Sequence, residues 1–405
     1  QRLAAGAAAC RWVGHDTLRL LRAAADVAVA IGDRGGAARD LAAMAMYIRR
    51  NPGIMAEPHS AAEAAGLVAE SRAVSDGSPV AEAAIAMAAG WNDPGTLNHA
   101  QRAVEMAAQA GDAIVHSAAL DRLVGAYLSL HDVAAAIHVL RRRMDLLATV
   151  PIGTLNGFEF SDARLMAADT ALAAGDLAGA TAHAEALAEL PFYRHEAHLA
   201  TCRRIMVDAL AGRFDDVVQN GELFRAGWER AGRPVAPALC RAAYAVAMVH
   251  GMRGDDERRA AWVRVTIDIG TEPQDLAGWG NGFAATFDAL LALHRGDLAE
   301  TERRLAIDID EKTVFEDWNS GLWRPWYAAL WAEAAVLADH PHKAERIERS
   351  RHATRDNPIA AAIVERAAAI AAQDREPLAR LAITFGQLGC PYQQARTRRL
   401  AEDIR

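Results

Sequence analysis

Aspartates that each follow one apolar helical stripe and open another recur along this chain. They stand at Asp132, Asp176, Asp215, Asp255, Asp297 and Asp339, at intervals of 44, 39, 40, 42 and 42 residues. A period near forty restricts the fold more than any other feature. It is the length of a helix pair, and such a unit cannot bury its apolar faces without neighbours. The clearest unit is 165–190. Leu165, Ala168 and Leu172 fall at i, i+3 and i+7, and after Gly175-Asp176 the residues Leu177, Ala180, Ala184 and Leu187 resume at helical spacing. Gly175 suits the left-handed residue that ends a helix, and Asp176 the cap that opens the next. The unit at 283–309 repeats this order: Phe283, Phe287 and Leu290, then a turn at Gly296-Asp297, then Leu298, Leu305 and Ile309.

The rest of the chain follows the same plan. Helices are expected at 3–12, 16–31, 34–49, 60–75, 80–89, 96–110, 113–130 and 133–149. Loops are expected at Asn51-Pro52-Gly53 and again at 150–157. The tail predicts helices over 359–372 and 378–388 and a last one opened by Pro391, a residue suited to the first helical position. Nowhere do β-branched residues alternate with polar ones over a strand's length. The expected fold is all-α: an α-solenoid, a right-handed superhelix of about ten helical hairpins. It forms one continuous helical-repeat domain over 1–405, with a candidate hinge at 150–157. Stability is then expected to be nearly a sum of interfaces between neighbouring hairpins.

Composition narrows the function classes. Hydrophobic residues make up 52% of the chain but aromatics only 6%, so alanine carries much of the apolar surface and helices are expected to pack closely. A net charge of -8 argues against a nucleic-acid surface, which needs clustered positive charge. Cys10, Cys202, Cys240 and Cys390 show no zinc-ligand spacing and read as buried thiols of a reducing compartment. No run reaches the length of a membrane span, and no signal-peptide pattern stands at Gln1. A cytoplasmic location is expected. The missing initial methionine suggests a segment of something longer.

The C-terminal run Phe385-Gly386-Gln387-Leu388-Gly389-Cys390-Pro391-Tyr392, continuing through Gln393-Gln394-Ala395-Arg396-Thr397-Arg398, resembles a known closing segment. It is that of the tetratricopeptide-like region in large actinobacterial regulators of the LuxR type and related ATPase–cyclase proteins. Trp331-Ala332-Glu333-Ala334-Ala335, Asn357-Pro358, Glu365-Arg366-Ala367 and Asn51-Pro52-Gly53-Ile54-Met55 are similar to other parts of that region. The small pair Ala168 and Ala180 stands as it does in a tetratricopeptide hairpin. Most units lack such a pair: around Gly212, Ile205 and Val217 occupy those places. The period also exceeds the 34 residues of a standard tetratricopeptide. The resemblance implies the repeat region of a transcriptional regulator, with no catalytic residue in this segment. No GxxxxGK[ST] loop is present.

Four stretches invite chemistry. His195-Glu196-Ala197-His198 is one residue short of the HExxH zinc helix and reads as an exposed helix start, without metal. Gly278-Trp279-Gly280-Asn281-Gly282 has phosphate-loop glycines but no preceding strand, and reads as the entry to the Phe283 helix. Arg396, Arg398 and Arg399 read as a solvated helix face. The fourth is the concentration of rings. Of nine tryptophans, Trp279, Trp318, Trp323, Trp326 and Trp331 lie within 279–331, joined by Phe283, Phe287, Phe315 and Tyr327. Helical spacing makes core packing the plainer reading of Trp323, Trp326 and Tyr327. Trp318, beside Glu316, Asp317 and Asn319 in an irregular acidic stretch, has the composition of a contact patch.

The expected function is a non-enzymatic interaction and sensor module, without cofactor or metal. Its binding residues are expected among Trp279, Phe283, Phe315, Trp318, Asn319, Trp323, Trp326 and Tyr327. The expected partner is a protein or peptide, including other domains of its own chain, with a small-molecule effector as a further candidate. No nucleic acid or membrane is expected to bind. The alternatives are an all-α small-molecule-binding protein or enzyme with a cavity lined by the 279–331 aromatic cluster, and a scaffold for self-association.

Overall fold

The computed structural model describes residue 3 and residues 14–50, 59–92, 97–153, 156–190, 197–278, 282–311 and 318–404. Among the described residues there are 21 helices and no strand. The expected helix at 3–12 and the Asn51-Pro52-Gly53 loop lie outside them. Elsewhere helix bounds fall within a few residues of expectation, as at Arg34–Arg50, Val133–Ala148 and Pro358–Ala371.

The turns show why. At Gly175 the backbone takes φ +68°; the Asp176 amide donates to Ala171 O at 2.9 Å, closing the preceding helix. The Asp176 carboxylate accepts from the Gly179 amide at 2.8 Å, opening the helix Leu177–Ala188. Gly296 and Asp297 repeat this, with φ +73° and a cap bond to the Glu300 amide at 3.0 Å. Asp132 and Asp255 also cap their helices. Two of the six marks differ. Asp215 lies inside the first turn of Phe214–Arg230, because Arg213 occupies the cap position after Gly212. Asp339 itself takes the left-handed position, φ +50°, and the next helix opens three residues later behind His342.

Within the hairpins the two helices are not equivalent. Leu177–Ala188 buries Leu177, Ala180, Ala184 and Leu187, the stripe read from the sequence. Its partner Gly157–Ala173 buries much more than the Ala168–Leu172 stripe, including Glu159, Asp169 and Thr170. The same holds of Pro237–Met252, buried without interruption from Leu239 to Gly251, and of Trp318–Leu337, buried from Ser320 to Val336. A helix buried on all sides is interior, and one with a single buried stripe is an outer layer.

The interior helices touch in sequence order: Ala113–Ser129, Gly157–Ala173, Ala197–Ala211, Pro237–Met252, Phe283–Arg295 and Trp318–Leu337. The last then packs back on the first two, so the contacts form a closed circuit rather than a chain of neighbours alone. The Trp326 indole donates to Leu172 O at 3.0 Å, and Asn357 Nδ2 donates to Ala173 O at 3.0 Å. Gly321 permits a close approach, since a Cβ there would lie 2.2 Å from Leu128 O. The circuit therefore adds contacts between residues far apart in sequence, Trp326 and Leu172 being 154 residues apart, to those between neighbouring hairpins.

Candidate functional site

The aromatic stretch supplies the core of that circuit. Phe283, Trp323, Trp326 and Tyr327 are all buried. Trp323 meets Phe287 edge-on with ring centroids 5.2 Å apart, and Phe283 meets Tyr244 at 5.7 Å. The Tyr327 hydroxyl accepts from the Ile307 amide at 3.1 Å and donates to Ile307 O at 2.9 Å, pinning 305–309 against the helix. Trp318 and Asn319 do not lie in an irregular stretch but open the helix Trp318–Leu337; both are half-buried, with Trp318 packed on the core where Gly125 leaves room for it. Trp279, Phe315, Glu316 and Asp317 lie outside the described residues. The structure thus brings Phe283, Trp323 and Tyr327 together as packing, and leaves Trp318 at its margin.

Between the interior helices lie charge clusters that no local motif announces. In the first, Arg50 Nε donates to Asp121 Oδ2 at 2.8 Å and Nη1 to Glu159 Oε2 at 2.7 Å. Arg143 donates to Asp121 Oδ1 and to Glu159 Oε1, both at 2.6 Å, and to Asp162 at 2.8 Å. Arg50 also pairs with Asp162. Three carboxylates share two guanidiniums, and the imbalance shows in their acidities. Burial pushes the Asp121 carboxyl up to about 6, with Arg143 and Arg50 only partly opposing it and Asp162 adding to it. Burial acts on Glu159 as well, but both guanidiniums and the Ser117 hydroxyl reverse it and hold that carboxyl well below the usual range. The cluster spans the 150–157 loop, with Arg50, Asp121 and Arg143 before it and Glu159 and Asp162 after.

Three similar clusters follow. Asp169 receives Arg203 at 3.0 Å and also Arg241. Asp288 receives Arg259 at 3.1 Å, Arg304 at 2.8 Å and the Tyr244 hydroxyl at 2.8 Å. Glu333 receives Arg366 at 2.8 Å and Arg396 at 2.6 Å. In each, a carboxylate on an interior helix binds arginines from two other helices, which joins three helices at one point. Arg396 accordingly does not lie on a solvated face; its side of the last helix turns inward to Glu333, and it is buried.

The N-terminal end carries a groove of about 560 Å³. Its walls come from Leu3 and from Gly14–Ala30, Arg34–Arg50, Pro79–Asn92 and Ala113–Ser129, with Leu21, Met46, Met87 and Val115 among the apolar lining. At its base it reaches Arg50 and Glu159. Asp40 faces it from the middle of a helix, half-buried and without a hydrogen bond or ion pair among the described residues. Burial raises its carboxyl to about 6, against the opposing pulls of Arg39 and the amino terminus. Sequence reading missed this groove because four separate helices build it. The one local signal was Val27 and Ile31, apolar residues off the buried Leu18–Leu21–Ala25–Ala28 stripe; they are 50% and 74% exposed.

The remaining candidates are either buried or outside the described residues. His198 is buried rather than exposed, since the start of Ala197–Ala211 packs on Gly227, and burial lowers its imidazole to about 4. His195 and Glu196 lie outside the described residues, as do Trp279, Gly280 and Asn281; Gly282 caps the Phe283 helix with φ +87°. Cys202, Cys240 and Cys390 are buried free thiols, and burial pushes Cys240 up to about 12 and Cys390 to about 11, so neither is a thiolate at neutral pH. Cys10 is not among the described residues. No cluster of three metal-ligating side chains occurs among the described residues, and no described helix is long and apolar enough to cross a membrane. No protein-family model matches this chain, and no curated protein matches it either.

Proposed function

We propose that this chain is a non-enzymatic interaction and sensor module, the tetratricopeptide-like region of a cytoplasmic bacterial signalling or transcriptional regulator of the LuxR-type kind. In this reading its hairpins, about ten in number, form an α-solenoid wound as a right-handed superhelix. The observation that carries the reading is the division of labour along the chain. The interior helices from 113 onward are tied by buried arginine–carboxylate clusters and packed rings, whereas the N-terminal hairpins enclose a groove of about 560 Å³. A rigid body with one accommodating end suits a part that reports occupancy to attached domains. The partner is a protein or peptide, including the other domains of its own chain. Trp318 and Asn319, at the margin of the ring cluster, remain the candidates for that contact.

A second reading, a small-molecule receptor, is favoured by the groove's volume, which falls in the range of ligand pockets. The test of the sensor reading uses the full-length regulator. Filling the groove with Ala43→Phe is expected to change its output by several-fold while the melting temperature stays within a few degrees. Unchanged output would refute the reading. So would ATP turnover by the purified chain or one tightly bound metal per molecule by elemental analysis.

A further inference from the structure

We propose that a second, smaller groove, beside residues 150–153, binds a short hydrophobic carboxylate, with Arg164 as its counter-ion. The inference goes beyond the sensor reading, because binding is measured on the purified chain whether or not output follows. The groove measures about 250 Å³, and Met144, Leu147, Val150, Ile152, Phe160 and Leu190 line it together with Arg164. These residues come from the end of Val133–Ala148, the start of Gly157–Ala173 and the residues that close Leu177–Ala188. Ile152 is 48% exposed, apolar surface that a ligand would cover. The volume is small beside the ~300–1,000 Å³ of most ligand pockets. That sets the size of the ligand: a short chain rather than a cofactor.

Arg164 decides the sign of the ligand. Every arginine of the four buried clusters meets a carboxylate. Arg164 is half-buried and meets only the His183 ring, with Nη1 3.3 Å from Nδ1. A guanidinium has no acceptor, so Arg164 donates there and His183 accepts as a neutral ring. Burial and Arg164 both lower the His183 imidazole, with Asp176 opposing them, so the ring adds no charge at neutral pH. Burial lowers Arg164 as well, and no carboxylate opposes it. Asp145, Glu185 and Glu189 on the flanking helices are exposed, and none of them pairs with it among the described residues. A guanidinium cannot shed its proton to escape such a place. It gains most from a planar carboxylate that accepts two of its N–H groups, and an apolar tail in the groove excludes the water that would screen the pair. A neutral ligand leaves Arg164 without compensation, and a cation is repelled.

Calorimetric titration of the 405-residue chain with octanoate, 1-octanol and octylamine at pH 7.5 tests this. Octanoate is expected to bind at least ~10-fold more tightly than 1-octanol, about 1.4 kcal/mol, with octylamine weakest. Arg164→Gln breaks no ion pair, and is expected to bring octanoate to within about two-fold of the alcohol without lowering the melting temperature. Ala186→Phe, at a half-buried position of the lining, is expected to abolish binding of both. Ile152→Asp keeps the test independent of that packing change: the position is exposed, and the added negative charge is expected to weaken octanoate more than the alcohol. No binding of octanoate, equal binding of octanoate and alcohol by the native chain, or a preference that survives Arg164→Gln would each overturn the proposal. So would unchanged octanoate binding by Ile152→Asp or by folded Ala186→Phe.

Discussion

Replacing Glu333 by glutamine tests the role given to the buried charge clusters. Glu333 is fully buried, and three hydrogen bonds converge on it: Arg366 Nε at 2.8 Å, Arg366 Nη2 at 3.0 Å and Arg396 Nη1 at 2.6 Å. Burial alone would raise its carboxyl, but the two guanidiniums more than reverse this and keep it below the usual range. Glutamine keeps the volume and removes the anion. Two buried guanidiniums are then left facing an amide, and neither can shed its proton to escape. Removing one partner of a buried pair costs about 3–5 kcal/mol, and the loss is expected near the top of that span because two cations are orphaned. It is expected to appear first in Pro358–Ala371 and Pro391–Asp403, the helices that carry Arg366 and Arg396.

A chain of this size need not unfold in one step, so the assay is native-state hydrogen exchange of those two helices together with the melting temperature. The triple change Glu333→Leu, Arg366→Met, Arg396→Met gives the complementary measurement. It removes the charges along with their desolvation cost, and Thr397 keeps its bond to Gln393 O at 2.7 Å. The triple variant is expected to recover to within roughly 1 kcal/mol of the native chain. A loss under ~1 kcal/mol for Glu333→Gln, or a triple variant as weak as the single one, would show that the cluster does not join the helices electrostatically.

Three further outcomes are expected. Gly296→Ala should cost ~1–2 kcal/mol for its left-handed backbone, and Gly175→Ala roughly 1 kcal/mol more, because its Cβ would lie 2.3 Å from Asn357 Oδ1, the acceptor that caps Ala360; equal losses in chemical denaturation would refute the Asn357 contact. Trp326→Ala should cost ~3–5 kcal/mol and Trp318→Ala less than half of that, since the first is buried and bonded to Leu172 O while the second is half-buried; a larger loss at Trp318, with partner affinity unchanged, would make it core and remove it as a contact residue. As pH falls from 6.5 to about 4 the unfolded chain binds a proton at His198 before the folded chain does, so folding should lose on the order of 3 kcal/mol; His198→Gln should flatten that part of the urea-midpoint profile, and an unchanged slope would exclude His198 as its source.

Features that depend on a few consecutive residues are legible in the sequence. A left-handed glycine followed by a capping aspartate closes one helix and opens the next wherever Gly175-Asp176 and Gly296-Asp297 occur, because the bonds involved span five residues or fewer. The outer stripe of Leu177, Ala180, Ala184 and Leu187 is legible for the same reason: 3.6-residue periodicity is a local record of one buried face. An interior helix buries every face, so its periodicity is lost, and Glu159 or Glu333 looks like any solvated acid. Their partners follow from long-range packing alone. Arg50 lies 109 residues from Glu159, Arg241 lies 72 from Asp169, and Trp326 lies 154 from Leu172. The same closure turned Arg396 from an apparent surface charge into a buried one, and placed Phe283, Trp323 and Tyr327 in the core. Composition counts the rings but does not say which way they point. The groove around Asp40 exists because four helices meet without filling the space between them, and no single helix encodes that.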